Sequence, residues 1–190
     1  MQITKGKAGY IRQKKKRELL KTILEFGIVI ALFITGYVTT KTRLNLLTLV
    51  AVLGCLPASK AMVGWLMLIP QKSLEQEKVK EIEENGGNLT KAYDMILTSY
   101  EHVMPINSLA IVGNTVCGYT DCEKMPTAYA EQYIRKTLAN NYYEKVSVKI
   151  FKDYQAYLSR LEGMNALTDK EQENREQEEG ILHVILTLSM

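Results

Sequence analysis

The chain has 190 residues, a formal net charge of +3 and only two histidines. The charge is unevenly divided: residues 1–21 hold eight cations and one acid, whereas residues 73–190 hold 12 cations and 19 acids, a net −7. An acidic domain is unsuited to nucleic acid, because phosphate contacts need clustered cations. We therefore expect no nucleic acid among the partners of this protein.

Two apolar segments follow the basic leader. A helix needs about 20 mostly apolar residues to cross the hydrocarbon core of a bilayer, and the segments at about 22–40 and 44–69 meet this requirement. Only Lys41, Thr42 and Arg43 separate them, so the link predicts a tight hairpin of antiparallel helices. The sequence thus predicts four regions, namely a basic cytoplasmic leader (1–21), a transmembrane helical hairpin (22–70), a charged linker helix (71–87) and a cytoplasmic domain (88–190).

The cations that flank the apolar segments predict the orientation. The leader has eight cations, the hairpin turn has two, and Lys72, Lys78 and Lys80 follow the second segment. Because loops rich in Lys and Arg stay in the cytoplasm, we expect a multi-pass protein of the cell (inner) membrane with both termini cytoplasmic. A secretory signal peptide is the alternative, but no small-x-small cleavage site follows the first segment. We expect the polybasic leader to act as a topological anchor near anionic lipid headgroups.

Lys60 and Trp65 are the notable side chains of the second segment. A lysine at bilayer depth is costly and is by default a functional hypothesis, here an ion pathway. The plainer interpretation is that Lys60, in the later half of the segment, extends toward the cytoplasmic headgroups. Pro57 is expected to kink the helix or end it early. Trp65, near the end of the segment, suits the aromatic belt of the membrane interface.

The polar region begins with a charged helix over 73–84, which Asn85-Gly86-Gly87 ends. Residues 89–103 are ambiguous. Their apolar side chains recur at helical spacing, which favours a helix, but 93–100 also fits a strand that forms a hairpin through 104–107. The choice between helix and strand stays open at this point.

The remaining elements predict a sheet with crossover helices. Branched apolar residues, capping residues and glycines predict, in chain order, a strand at 108–119, a helix at 126–140, a strand at 146–151, a helix from Asp153 to Glu162, a charged helix from a capping box at 168–171 to Glu179, and a strand at 181–188 after Gly180. Alternation of strands and helices is typical of a parallel or mixed sheet. The predicted fold class is therefore α/β or α+β, with an N-terminal two-helix transmembrane hairpin.

The end of the strand at 108–119 is the candidate ligand loop. Ligands of open α/β sheets bind beyond the carboxyl ends of strands. The polar and thiol side chains expected there are Asn114, Thr115, Cys117, Tyr119, Asp121 and Cys122. A thiol beside a helix N-terminus has a lowered pKa, which makes Cys122 a candidate nucleophile or redox thiol. The plainer interpretation is a turn of small polar residues that only reverses the chain.

The sequence does not indicate a metal or a cofactor. Cys117 and Cys122 form a C-x4-C pair, but only His102 and His183 remain as imidazole ligands and there is no second cysteine pair. Phosphate-cradling, dinucleotide and nucleophile-elbow motifs are missing from the sequence. We therefore predict no metal and no cofactor.

The opening MQITKGKAGYIRQKKKREL and the paired apolar segments resemble an uncharacterised group of small bacterial two-span membrane proteins, some of which carry the automatic label O-linked GlcNAc transferase-like. The resemblance covers mainly the first 70 residues and implies no catalytic residues. The sequence lacks tetratricopeptide repeats and is too short for a glycosyltransferase domain beside the hairpin.

These observations favour an integral membrane protein whose cytoplasmic domain is a binding or regulatory module in a membrane complex, with a protein partner or a second copy of the chain. Two alternatives remain open. One is a membrane-tethered enzyme that uses the Cys117–Cys122 loop. The other is a small oligomeric pore or transporter subunit that uses Lys60.

Overall fold

The computed structural model describes residues 5–42, 45–168 and 175–189. The chain forms two compact units, one of Met1–Tyr10 with Lys72–Met190 and one of Ile11–Gln71. We call them the sheet domain and the helical hairpin. The start of the leader and the helix after the hairpin thus belong to the sheet domain. The capping box predicted at 168–171 falls largely outside the described residues.

The helical hairpin consists of helix α1 (Tyr10–Thr40) and helix α2 (Leu46–Leu68). Asn45 closes the turn between them, because its side chain accepts a hydrogen bond from Thr48 N and donates one to Thr40 Oγ1 at 2.8 Å. Both helices are long and apolar enough to cross a membrane. The two-helix hairpin predicted from the sequence is confirmed, but Pro57 lies inside an unbroken α2 and does not end it.

The two helices pack along a seam that repeats every seven residues. Least exposed on α2 are Ala51, Gly54, Cys55, Ala58, Ala61, Gly64, Trp65 and Leu68. Most of them are alanine or glycine, and small side chains let two helix axes approach closely. A Cβ on Gly36 of α1 would lie only 2.8 Å from Leu47 Cβ, and one on Gly54 only 3.1 Å from Val29 Cγ2. The larger apolar side chains point outward, as Leu56 does with 70% of its surface exposed.

Contacts along the seam give the position of Lys60 along the length of the hairpin. Val29 lies beside Gly54, and Lys15 donates a hydrogen bond to Ile69 O at 2.8 Å. In this antiparallel register the neighbour of Lys60 is near position 23, within one turn of the ion pair between Lys21 and Glu25 (3.9 Å). Lys60 and the Lys21–Glu25 pair therefore lie at a similar level of the hairpin, and the residues of α2 after Lys60 run alongside the basic start of α1.

The sheet domain is a four-stranded mixed sheet with two helices on each face. The strands are β1 (Thr90–Thr98), β2 (Val103–Val112), β3 (Thr115–Tyr119) and β4 (Ser147–Phe151), in the order β1-β2-β3-β4. The first two pairings are antiparallel, and β3 pairs in parallel with β4. The helices are α3 (Gln76–Gly86), α4 (Thr127–Asn140), α5 (Tyr154–Thr168) and α6 (Arg175–Leu188). This α+β arrangement confirms the predicted fold class.

Each face of the sheet has its own core. Ile134 of α4 and Ile181 of α6 pack on one face, whereas Ile82 of α3 and Leu161 of α5 pack on the other. Connection of β3 to β4 through α4 is the one crossover unit among the described strands, and its helix and its second strand agree with the prediction.

Three predicted elements differ from the structure. The periodicity at 89–103 wrongly favoured a helix, because the chain there forms β1 and the Ser99–His102 turn into β2. Residues 108–119 form parts of two strands around a turn at Gly113 (φ +49°), and 104–107 belong to β2 rather than to a turn. The predicted strand at 181–188 is the second half of α6, which continues through Gly180.

Asp94 explains why β1 does not show strand periodicity. Its φ of +51° lies in the left-handed region in the middle of the strand. Side chains before and after it are out of step, since Tyr93 packs on the α3/α5 face whereas both Ala92 and Met95 pack on the α4/α6 face. Asp tolerates this backbone better than most residues do. The alternation of side chains between the two faces of the sheet therefore shifts by one residue within β1. The sequence pattern alone does not reveal such a strand.

Gly180 lies against the side chain of Tyr143. A Cβ at this position would overlap the hydroxyl oxygen of Tyr143, so any other residue must displace that side chain. A mid-helix glycine normally costs about 1 kcal/mol relative to alanine. At this position close packing takes precedence over helix propensity, which is why glycine here does not mark a helix end.

Gly180→Ala is therefore expected to destabilise the sheet domain by about 1–3 kcal/mol, since Tyr143 must be displaced. Gly163→Ala in α5 is the matched control, because a Cβ there meets nothing within 4 Å, and it should be neutral or stabilising. Thermal unfolding of the full chain in detergent measures both. Equal melting temperatures for the two variants would contradict the contact.

Candidate functional site

The residues of the predicted ligand loop lie at two ends of β3 and within it. Asn114 and Thr115 lie at the β2–β3 turn, Cys117 and Tyr119 are in the strand, and Asp121 and Cys122 follow it. At about 3.3 Å per strand residue, the turn and the exit are well over 10 Å apart. The structure therefore does not bring these side chains together in one place.

Asn114 and its neighbours serve the packing of α6. Gln177 donates a hydrogen bond to Asn114 Oδ1. The buried carboxylate of Glu178 accepts from Gly113 N and from Thr90 Oγ1, each at 2.7 Å. Glu178 thus satisfies the backbone of the β2–β3 turn and fixes α6 on the sheet. These contacts give the polar residues of this turn a structural role.

The two cysteines of the C-x4-C pair lie on opposite faces of the sheet. Cys117 is fully buried in the α3/α5 core, whereas Cys122 is partly buried against the α4/α6 core. Burial raises the pKa of the Cys117 thiol, and a hydrogen bond and the positive charge from Arg160 oppose that shift. Cys122 lies five residues before α4 begins. Within the described residues no group of three metal-binding side chains occurs.

Tyr119 and Asp121 form the polar part of the β3 exit. Tyr119 donates a hydrogen bond to Asp121 Oδ1 at 3.4 Å. Burial, followed by the negative charge of Asp121, raises the pKa of Tyr119 to about 12. The ring is also held by Tyr157, which stacks on it at 5.7 Å, and by the edge contact with Tyr154 at 5.3 Å. Tyr119 is therefore a neutral hydroxyl at physiological pH.

The strongest polar site is a junction formed by Asp94 of β1 and Asn107 of β2. Asp94 is 1% exposed, and its carboxylate accepts from Gly9 N at 2.7 Å and from Leu74 N at 2.9 Å. Gly9 directly precedes α1, and Leu74 follows α2. One buried carboxylate thus holds the chain segment that enters the helical hairpin and the segment that leaves it.

Asn107 extends this junction to the β3 exit. Its Nδ2 donates to Lys72 O at 3.1 Å, and its Oδ1 accepts from Asp121 N at 2.9 Å. A further backbone bond joins Tyr93 N to Gly6 O at 2.8 Å. We call this set of contacts the clamp. It connects both flanks of the hairpin with the loop that the sequence selected as a ligand site.

A tyrosine groove runs along α4. Tyr129 and Tyr133 stack nearly in parallel, with ring centroids 6.4 Å apart and an interplanar angle of 6°. Their hydroxyls donate to Ser99 Oγ and to Thr98 O, at 3.2 and 3.3 Å. Cavities of about 370 and 400 Å³ both contact these two rings. The lining residues are Thr98, Ser99, Tyr100, Gln132, Lys136, Thr137 and Asn140.

Sequence reasoning missed the clamp and the groove. Asp94 gives no pattern signal, because a single aspartate in an ambiguous segment is common. Tyr129 and Tyr133 enter the sequence prediction only as residues of the helix at 126–140. Their spacing of four residues places them on one helix face, and that was the available signal for a paired aromatic surface.

Comparison of the chain with protein-family models, with curated proteins and with solved structures finds no significant match. The assignment of function therefore depends on the geometry described above.

Replacing Asp94 by asparagine tests the clamp. Asparagine tolerates the left-handed backbone but has one acceptor oxygen, so either Gly9 N or Leu74 N loses its partner. We expect a loss of about 2–3 kcal/mol in stability. Hydrogen exchange should accelerate in peptides that cover residues 5–10 or 72–76.

Asp153→Asn is the matched control, because Asp153 is exposed and its carboxylate accepts from Gln155 N at 3.0 Å, the one side-chain contact described for it. It should cost at most about 1 kcal/mol. Unchanged exchange of both flanking peptides in Asp94→Asn would contradict the role assigned to the carboxylate.

Proposed function

We propose that the chain is an integral membrane protein of the cell (inner) membrane, with both termini cytoplasmic, whose sheet domain is a binding or regulatory module in a membrane complex. The observation that supports this proposal is the difference in surface between the two units. One unit is a helical hairpin with outward apolar side chains, and the other is a folded domain with a polar and aromatic groove.

The outer surface of the hairpin supports membrane insertion. Leu24, Phe33 and Leu53 are 58%, 44% and 58% exposed, and such a continuous apolar surface is unstable in water. Most side chains that face the seam on α2 are small, as is typical of helices that associate in a bilayer. The cations Lys14–Lys16, Arg17 and Lys21 lie at one end of α1, which supports the cytoplasmic assignment for that end.

The tyrosine groove supports a binding role for the sheet domain. Tyrosine is enriched at protein interfaces, because it offers a rigid apolar ring with a polar end. Tyr100 at the groove is fully exposed, and His102 contacts the edge of Tyr129 with centroids 4.9 Å apart. Lys136 and Gln132 supply donors along the same helix face. A protein partner with apolar side chains and backbone acceptors fits this surface best.

Reporter fusions test the topology. Reporters that are active only in the cytoplasm, fused at either end of the full chain in a bacterial host, should both be active. At Lys41, in the hairpin turn, a reporter that is active only outside the cytoplasm should be active. A reporter that is active only in the cytoplasm should be inactive there. A C-terminal fusion active only externally would contradict the orientation.

Site-specific photo-crosslinking tests the binding role. A photoreactive phenylalanine derivative at Tyr100 should form a discrete adduct with one membrane partner. The same derivative at Tyr142 is the matched control, because Tyr142 is 96% exposed but lies beyond the other end of α4. The adduct should disappear in Tyr133→Ala, which removes the ring, and persist in Tyr133→Phe. Equal adducts at Tyr100 and Tyr142 would contradict a specific groove.

A further inference from the structure

We propose that the basic first turns of α1, together with the final turns of α2, form a binding surface for anionic lipid headgroups. This inference rests on the proposed membrane insertion of the helical hairpin. It concerns one surface, defined by Lys16, Arg17 and Trp65, which we call the headgroup surface.

The first observation is that the cations belong to a rigid helix. Helix α1 is continuous from Tyr10 to Thr40, so residues 10–21 form its first three turns and are not a loose leader. The seam positions of these turns are Ile11, Lys15, Glu18 and Thr22. Lys16 and Arg17 lie off the seam and are exposed. Helical geometry therefore directs both side chains to the outside of the hairpin.

The second observation is that Lys15 and Lys21, two cations of the same helix turns, have partners within the hairpin. Lys15 donates to Ile69 O at 2.8 Å, where a cation also stabilises the carbonyl end of α2. Lys21 pairs with Glu25 at 3.9 Å. Among the described residues, Lys16 and Arg17 make no such contact and remain available for an external anion.

The third observation is the sharp boundary between charge and apolar surface. Leu20 and Ile23 are 67% and 60% exposed and follow Arg17 within two turns. The register set by Lys15 with Ile69 and by Val29 with Gly54 brings Trp65 beside position 18. An indole and two cations thus share the level where the apolar surface begins. This is the arrangement expected at the headgroup layer of a membrane.

Anionic lipid is the partner that fits all three observations. An acidic protein would satisfy the cations but would not explain the apolar surface that adjoins them. Zwitterionic headgroups carry no net charge to attract Lys16 and Arg17. Each such cation near the surface contributes about fivefold to the preference for anionic lipid. The headgroup surface should therefore enrich phosphatidylglycerol around α1.

Quenching of the single tryptophan provides the test, because Trp65 lies at the headgroup surface. The full chain is placed in nanodiscs with equal amounts of two lipids, and bromine is carried either by phosphatidylglycerol or by phosphatidylcholine. In the native chain we expect brominated phosphatidylglycerol to quench Trp65 several-fold more strongly. That preference should decrease in 0.5 M salt, which shortens the Debye length to about 4 Å.

The variant Lys16→Gln/Arg17→Gln should bring the two quenching levels close to equal. Lys124→Gln/Arg135→Gln is the matched control, because it removes one lysine and one arginine from exposed positions of the sheet domain and should keep the native preference. Equal quenching by both lipids in the native chain overturns the proposal, as does an unchanged preference in the α1 variant. Absence of quenching by either lipid contradicts membrane insertion itself, so the two failures are distinguishable.

Discussion

The buried carboxylate of Asp94 is the contact on which the organisation of the sheet domain depends. Left-handed backbone at a non-glycine residue costs about 1–3 kcal/mol, and a buried carboxylate adds a desolvation penalty. Charge-assisted hydrogen bonds from Gly9 N and Leu74 N offset these costs. Backbone strain of this kind persists only where the surrounding structure enforces it. Here the strained residue binds segments that are far apart in the chain. Because Asn107 binds Lys72 and Asp121, the clamp also includes the β3 exit.

The clamp joins both flanks of the hairpin to one loop of the sheet domain. Asp94 binds the two flanks, and Asn107 connects the same junction to the exit of β3. The tyrosine groove lies on the α4/α6 face of the sheet, where α4 contacts the Ser99 turn. Strand β1 contributes to both features, because it carries Asp94 and the carbonyl of Thr98 that accepts from Tyr133.

Packing in the helical hairpin follows a different rule from packing in the sheet domain. The sheet domain buries large branched and aromatic side chains such as Ile134 and Tyr157. The hairpin buries alanine and glycine and exposes its large apolar residues. In a bilayer, lipid tails are as apolar as leucine, so close backbone approach and not apolar burial holds two helices together. The contrast supports different surroundings for the two units.

The hairpin, the helix α4, the strand β4 and a mixed sheet with helices could be predicted from the sequence alone, which left α/β and α+β open. Long apolar runs, a three-residue link and simple periodicity report local geometry, which needs no distant partner. Only the tertiary structure decided the rest. Asp94 resets the alternation of β1 through contacts with residues 9 and 74, and Gly180 lies inside a helix because Tyr143 needs the space. The cysteines of the predicted loop separate because Cys117 packs from β3 into the α3/α5 core, whereas Cys122 lies in the following loop and packs against the α4/α6 core. Each of these outcomes depends on residues far apart in the chain, and no local pattern encodes such contacts.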